Sequence, residues 1–156
     1  MAELNPDLAA RLVGWREQKK TVVFTNGVFD LMHPGHVAQL EAAKSFGDVL
    51  IVGLNSDLSV RMLGKGDDRP ILDETARRIV LLALRCVDAV ALFSEPTPLE
   101  LIELIQPQVL VKGADYAGRE VVGREIVEAA GGRVELVPLI KGYSTTEIIR
   151  RIRGTD

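Results

Sequence analysis

Both histidines of the chain, His33 and His36, stand three residues apart in the segment TNGVFDLMHPGH, Thr25 to His36. The segment follows an apolar, β-rich run. Pro34 suits the first position of a helix, where a missing N–H costs nothing and φ is already helical. His33 then lies just before a helix and His36 on its first turn, with Gly35 leaving room for a close ligand. Free backbone N–H groups and the positive end of the helix dipole make such a turn an anion site, for phosphate above all. Two imidazoles there can donate hydrogen bonds to a phosphate whose negative charge grows during transfer. The bland alternative is a surface turn around Pro–Gly. Both histidines falling between a strand and a helix start favours phosphate chemistry.

The elements that must position these residues alternate along the chain. Strands are expected near Thr21–Thr25, Asp48–Leu54, Asp88–Phe93, Gln108–Lys112 and Arg133–Val137. These Val/Leu/Ile-rich runs lack clean polar alternation, as strands buried on both faces do. Helices are expected from Asn5–Pro6, over Pro34–Phe46 with Gly47 ending it, and over Asp73–Arg85. A Thr97–Glu100 capping box opens the next, and two more cover Val121–Ala130 and Ser144–Arg153. Strand–helix alternation predicts an α/β, doubly wound, five-stranded parallel sheet, Rossmann-like, with helices on both faces.

Ligands of such sheets bind beyond the carboxyl ends of the strands. Polar clusters gather there: Thr25–Asn26–Gly27, Asn55–Ser56–Asp57, Lys112–Gly113–Ala114–Asp115–Tyr116 and Gly142–Tyr143–Ser144–Thr145–Thr146. Ser144 with Glu147 is also a regular capping box, so anion binding and helix capping both remain open for that segment. Lys65 and Arg69 suit a sugar phosphate, or equally a solvated turn. Lys44 reads as a solvated helix residue.

Composition narrows the classes. A chain of 156 residues is one ordinary domain, expected to span 1–156. A single cysteine, Cys86, excludes an intrachain disulfide and, with two histidines, leaves no usual zinc set. No metal site is expected. A net charge of −3 argues against a nucleic-acid partner. No apolar run is long enough to cross a bilayer and no secretory signal opens the chain, so no membrane partner is expected and the cytoplasm is the default. There is no P-loop, complete GxGxxG or GxSxG.

The segment GVFDLMHPGH resembles the signature of the HxGH nucleotidyltransferase superfamily, cytidylyltransferase-like branch. Within it the chain is most similar to the D-glycero-β-D-manno-heptose 1-phosphate adenylyltransferase (ADP-heptose synthase) family, through NSD at Asn55–Asp57, Arg69–Pro70, Arg77, VDAV at Val87–Val90, LVKGADY at Leu110–Tyr116 and YSTTEII at Tyr143–Ile149. The likeness runs from about Thr21 to Arg153. By length it resembles the stand-alone form, without the sugar-kinase domain that precedes it in many species. It implies adenylyl transfer from Mg²⁺-bound ATP to a sugar 1-phosphate, in a homodimer. His33 and His36 would be catalytic. Thr25, Asn26, Gly27, Phe29, Lys112, Asp115, Ser144, Thr145 and Thr146 would bind the nucleotide. Asp57, Lys65, Arg69 and Arg77 would bind the acceptor. Asp30 would either do the same or orient its loop. The cytidylyltransferase relatives, which use acceptors such as glycerol 3-phosphate, carry an arginine where this chain has Leu139; Lys141 is the nearby charge. That departure weakens the cytidylyltransferase reading more than the general one. A non-catalytic nucleotide-binding module is the rival from another class.

Overall fold

The computed structural model describes residues 3–154. Its elements run α1 (Pro6–Glu17), β1 (Val22–Gly27), α2 (Pro34–Lys44), β2 (Val49–Asn55), α3 (Asp57–Met62), α4 (Glu74–Leu82), β3 (Ala89–Phe93), α5 (Leu99–Ile105) and β4 (Val109–Gly113). A 3₁₀ turn at Ala114–Tyr116, α6 (Arg124–Ala129), β5 (Arg133–Val137) and α7 (Thr145–Arg153) complete it. The five strands form one parallel sheet in the order β3-β2-β1-β4-β5, the expected architecture. Among the described residues no helix is long and apolar enough to cross a membrane.

Alternation along each strand divides the apolar side chains between two cores. Val22 and Phe24 of β1 point to a core with α1 and α5, while Val23 points to one with α2 and α4. Central strands therefore need apolar residues on both faces, which is why β1, β2 and β4 read as unbroken runs. The edge strand β5 departs from that expectation: Arg133 and Leu136 are exposed, because no strand covers its outer side.

Several boundaries differ from the sequence reading for identifiable reasons. β1 runs on through Asn26 and Gly27, β2 through Asn55 and β4 through Gly113, since each residue finds a ladder partner: Asn26 opposite Gly53, Asn55 opposite Phe93, Gly113 opposite Val137. Polar residues expected in loops thus sit on the rigid ends of strands. The Thr97 capping box does not form. Pro98 takes the cap position and α5 starts without a side-chain cap bond. The helix expected over Val121–Ala130 begins only at Arg124, after Gly123 at φ 87°. That over Asp73–Arg85 spans Glu74–Leu82, capped by Asp73. Lys44 is not simply solvated. Its Nζ donates to Asp88 Oδ2 at 2.5 Å, and that carboxylate also accepts from the Leu50 amide.

α2 stops at Lys44, short of the expected Phe46. Gly47 is not a left-handed cap there. A Cβ at Gly47 would lie 2.7 Å from the Thr21 carbonyl oxygen and 2.7 Å from Val23 Cγ2, so the residue is small because β1 passes against it. Gly47→Ala should lower stability by about 1–3 kcal/mol, the usual range for overpacking. Urea denaturation monitored by circular dichroism measures it, and an unchanged midpoint would contradict the close approach.

Candidate active site

The chain winds β1, β2, β3 to one side, then returns to lay β4 against the other side of β1. At this reversal the connections after β1 and β4 diverge, and a crevice opens at their carboxyl ends. The cleft has a volume of about 1140 Å³. It is bounded by the segment after β1, the start of α2, Lys65 and Arg69, the Phe93–Pro98 connection, the end of β4 with its 3₁₀ turn, and residues 139–146.

His33 caps α2. Its Nδ1 accepts from the His36 backbone N–H at 3.4 Å, so in the neutral ring the proton sits on Nε2. The two imidazoles stack with centroids 3.7 Å apart and planes 20° apart. Phe29 meets His36 edge-on at 5.4 Å. Gly35 permits this, because a Cβ there would come within 3.0 Å of the His33 ring. Burial lowers the His33 pKa. It also pushes His36 down to about 4, helped by His33 and Lys65 and opposed by Asp30. Two cations 3.7 Å apart would repel, and both rings are neutral donors at pH 7. Among the described residues His36 Nδ1 is the only buried side-chain nitrogen or oxygen without a partner, and it belongs to a residue lining the cleft. Such an orphan is costly unless a ligand meets it.

The segment between β1 and α2 is held against its own preferences. Phe29 and Leu31 adopt φ of 49° and 50°, the left-handed region that bulky residues avoid. Asp30, 1% exposed, anchors the segment. Its Oδ2 accepts from Arg69 Nε at 2.9 Å and the Ile71 amide at 2.7 Å, and its Oδ1 from the Leu72 amide at 3.0 Å. The Asp30 carbonyl accepts from Thr145 Oγ1 at 2.7 Å. Of the two roles open to Asp30, its contacts fit the orienting one.

The cytidylyltransferase-like family pattern matches residues 24–151. The chain belongs to the cytidylyltransferase-like family. It is 56% identical over 152 residues to the bifunctional protein HldE of Bradyrhizobium sp. (strain ORS 278), covering 97% of this chain and 31% of that protein. The HldE of Geotalea uraniireducens (strain Rf4) is 58% identical over 146 residues, 94% of this chain and 30% of that one. The chain therefore spans about 30% of the length of these curated relatives. The crystal structure of the lipopolysaccharide core biosynthesis protein from Thermoplasma volcanium GSS1 superposes with a TM-score of 0.65. It is 30% identical and covers 80% of this chain and 99% of that one.

In this cytidylyltransferase-like site the fold brings together most residues singled out from the sequence. His33, His36, Asn26, Gly27, Phe29, Asp30, Lys65, Arg69, Lys112, Asp115, Ser144, Thr145 and Thr146 all line the cleft, as do Leu139 and Lys141. Three expected contacts are not among the lining residues. Thr25 is fully buried and donates to the Val111 carbonyl, tying β1 to β4. Arg77, 1% exposed, donates to the carbonyls of Leu72, Val28 and Asn55 and to Asp57 Oδ1 at 2.7 Å. Its four partners come from three separate segments, so it is a structural tie, and it engages Asp57 as well. Ser144 caps α7 through the Glu147 amide at 3.0 Å, but the Glu147 carboxylate turns to Arg150 and Arg151, leaving half a capping box.

The sequence reading missed Thr97 and Pro98 as part of the wall, having taken them for a helix cap, and Pro96, Gln39 and Val122, which it did not single out. Tyr116 and Tyr143 stood inside quoted motifs without a role. Tyr143 lies nearly parallel to His33, with centroids 6.2 Å apart. Among the described residues no three of His, Cys, Asp or Glu are grouped to hold a metal ion.

The depressed His36 pKa has a measurable consequence. The unfolded chain binds a proton at His36 near 6.5, the folded chain only near 4. Between these values the unfolded state holds more protons, so stability falls as pH drops through that window. His36→Asn should lose less stability than the wild type between pH 7 and pH 5 in urea melts. Equal losses would mean that the folded ring titrates normally.

Proposed function

We propose that the chain is a nucleotidyltransferase domain, 1–156, that joins ATP and D-glycero-β-D-manno-heptose 1-phosphate to give ADP-heptose and pyrophosphate. The stacked, neutral His33–His36 pair at the start of α2, with His36 Nδ1 unpartnered in a cleft that Lys65, Arg69, Lys112 and Lys141 also line, carries the nucleotidyl-transfer part. Family membership supports the same chemistry. The sugar acceptor and adenine rest on the LVKGADY and YSTTEII likeness, and relatives named HldE and a lipopolysaccharide core biosynthesis protein are in keeping with heptose supply for lipopolysaccharide.

In this reaction an oxygen of the acceptor phosphate attacks the α-phosphorus in line. The bond from that phosphorus to the α,β-bridging oxygen breaks, and pyrophosphate leaves with the electron pair. A phosphate is already a competent nucleophile once positioned, so no covalent enzyme intermediate is required. His33 and His36 donate to the non-bridging oxygens on which charge develops, while bound polyphosphate raises their depressed pKa values. At the N-terminus of α7 the backbone amides of Thr145 and Thr146, with the Thr146 hydroxyl, hold the leaving phosphates, the Thr145 hydroxyl being spent on the Asp30 carbonyl, and Lys65 and Arg69 hold the sugar phosphate. Mg²⁺ bound to the triphosphate would offset part of its charge; the imidazole, ammonium and guanidinium groups of the cleft suit the phosphate oxygens rather than the ion. The reaction belongs in the cytoplasm, with its nucleotide substrate. A homodimer is part of the reading, and Leu92 of edge strand β3 and Ile79 and Leu82 of α4, which packs against β3, are exposed apolar side chains available to it.

A pyrophosphate-release assay over ATP and CTP, each with heptose 1-phosphate and glycerol 3-phosphate, tests the assignment. ATP with the heptose should be the fastest pair and should fail without Mg²⁺. Faster turnover of CTP with glycerol 3-phosphate would transfer the assignment to a polyol cytidylyltransferase, and no turnover with tight ATP binding would indicate a non-catalytic binder.

His36→Ala should lower kcat about 10²–10³-fold, as loss of one preorganised donor does, with little change in ATP affinity. Steady-state kinetics beside a melting curve decide it. Near-normal kcat in a folded variant would remove His36 from the mechanism.

A further inference from the structure

Lys112, next to last in β4, is 6% exposed, yet it lines the cleft. Its ammonium donates to Asn26 Oδ1 on the adjacent strand β1 and lies 5.3 Å from the centre of the Tyr116 ring. Burial pushes its pKa down to about 8, with the Asp115 carboxylate pulling the other way, so it is mostly charged near neutrality. Taking this cation out of water is expensive, and a plain structural role would be served more cheaply by an apolar residue.

An ammonium has three donors and no acceptor. The Asn26 atom that faces it must therefore be the carboxamide oxygen, and Nδ2 with its two N–H bonds is turned away from Lys112. An asparagine with a partner able to donate and accept can present either end. Here the choice is removed by a donor-only neighbour. Asn26 lines the cleft at the carboxyl end of β1, and its Nδ2 makes no hydrogen bond among the described residues. The result is a neutral double donor of fixed direction on a rigid strand end.

We propose that Lys112 is a positioning residue that acts through Asn26, locking the carboxamide so that Nδ2–H is presented to an acceptor atom of the bound nucleotide. The idea rests on the nucleotidyl-transfer reading only in taking a nucleotide as the ligand. It differs from direct contact between Lys112 and the nucleotide, in which the ammonium and the carboxamide would act independently.

A double-mutant cycle on ATP affinity separates the two. Asn26→Ala should weaken ATP binding about tenfold, the usual cost of a donor to a charged or strongly accepting group. Lys112→Met should weaken it by a similar factor, and the double variant should be no worse than either single one. Lys112→Arg, also donor-only, should restore most of the affinity. Lys112→Gln, one bond shorter but able to donate or accept, should leave affinity severalfold reduced, because it frees the amide to flip. Gln can still pair with the Asn26 carboxamide where Met leaves it unsatisfied, so it carries the test if Lys112→Met does not fold. Wild-type affinity in Lys112→Gln, or single-variant losses that multiply in the double variant, would overturn the proposal while leaving the functional reading intact. A wild-type chain that binds neither ATP nor CTP would overturn that reading instead.

Discussion

The Asp30 carboxylate holds together segments that lie far apart along the chain. Through Arg69 and the amides of Ile71 and Leu72 it draws the segment before α4 onto the segment after β1, and its own carbonyl receives Thr145 from the start of α7. A carboxylate this deeply buried is tolerable only when every lone pair that matters is met, and here three donors meet it. Removing one member of such a buried pair typically costs about 3–5 kcal/mol, since the other charge is left uncompensated. The same clamp offsets the left-handed backbone of Phe29 and Leu31 on either side of it. The histidine pair stands directly downstream, so its geometry inherits the precision of this anchor.

Arg77 does comparable work behind the sheet edge. Its guanidinium gathers carbonyls from after β1, from the end of β2 and from before α4, and pairs with Asp57 at the start of α3. Strand ends in an open sheet leave carbonyls without ladder partners, and a single planar five-donor group satisfies several at once. Two buried arginines thus serve one edge: Arg77 closes the backbone, and Arg69 is oriented by Asp30 while still lining the cleft.

The charge of the cleft is restrained by burial. Its histidines are neutral and its buried lysine is held below its ordinary pKa. Repulsion between the two histidines is thereby avoided, and on the proposed function polyphosphate would stabilise their protonated forms. Fixed donors that need little reorganisation are the arrangement that favours charge developing at phosphorus over charge already present in the ground state.

Much of this was legible in the residues themselves. Proline at the head of α2, unbroken Val/Leu/Ile runs and polar clusters after them follow from local backbone and burial rules, and they led to the parallel sheet, its carboxyl edge and the histidine pair. Motif likeness extended that to Lys112, Thr145 and the rest of the cleft. What the sequence could not carry was the assignment of each polar side chain to ligand or to protein. Arg77 was expected at the acceptor and Thr25 at the nucleotide, yet one is the largest fully buried side chain among the described residues and the other bridges two strands. Thr97 had a complete capping pattern, but α5 begins without it and Thr97 joins the cleft wall. A hydrogen-bonding group takes whichever partner three-dimensional packing brings within about 3 Å. That proximity is decided by strand order and the reversal between β1 and β4, which no local pattern encodes.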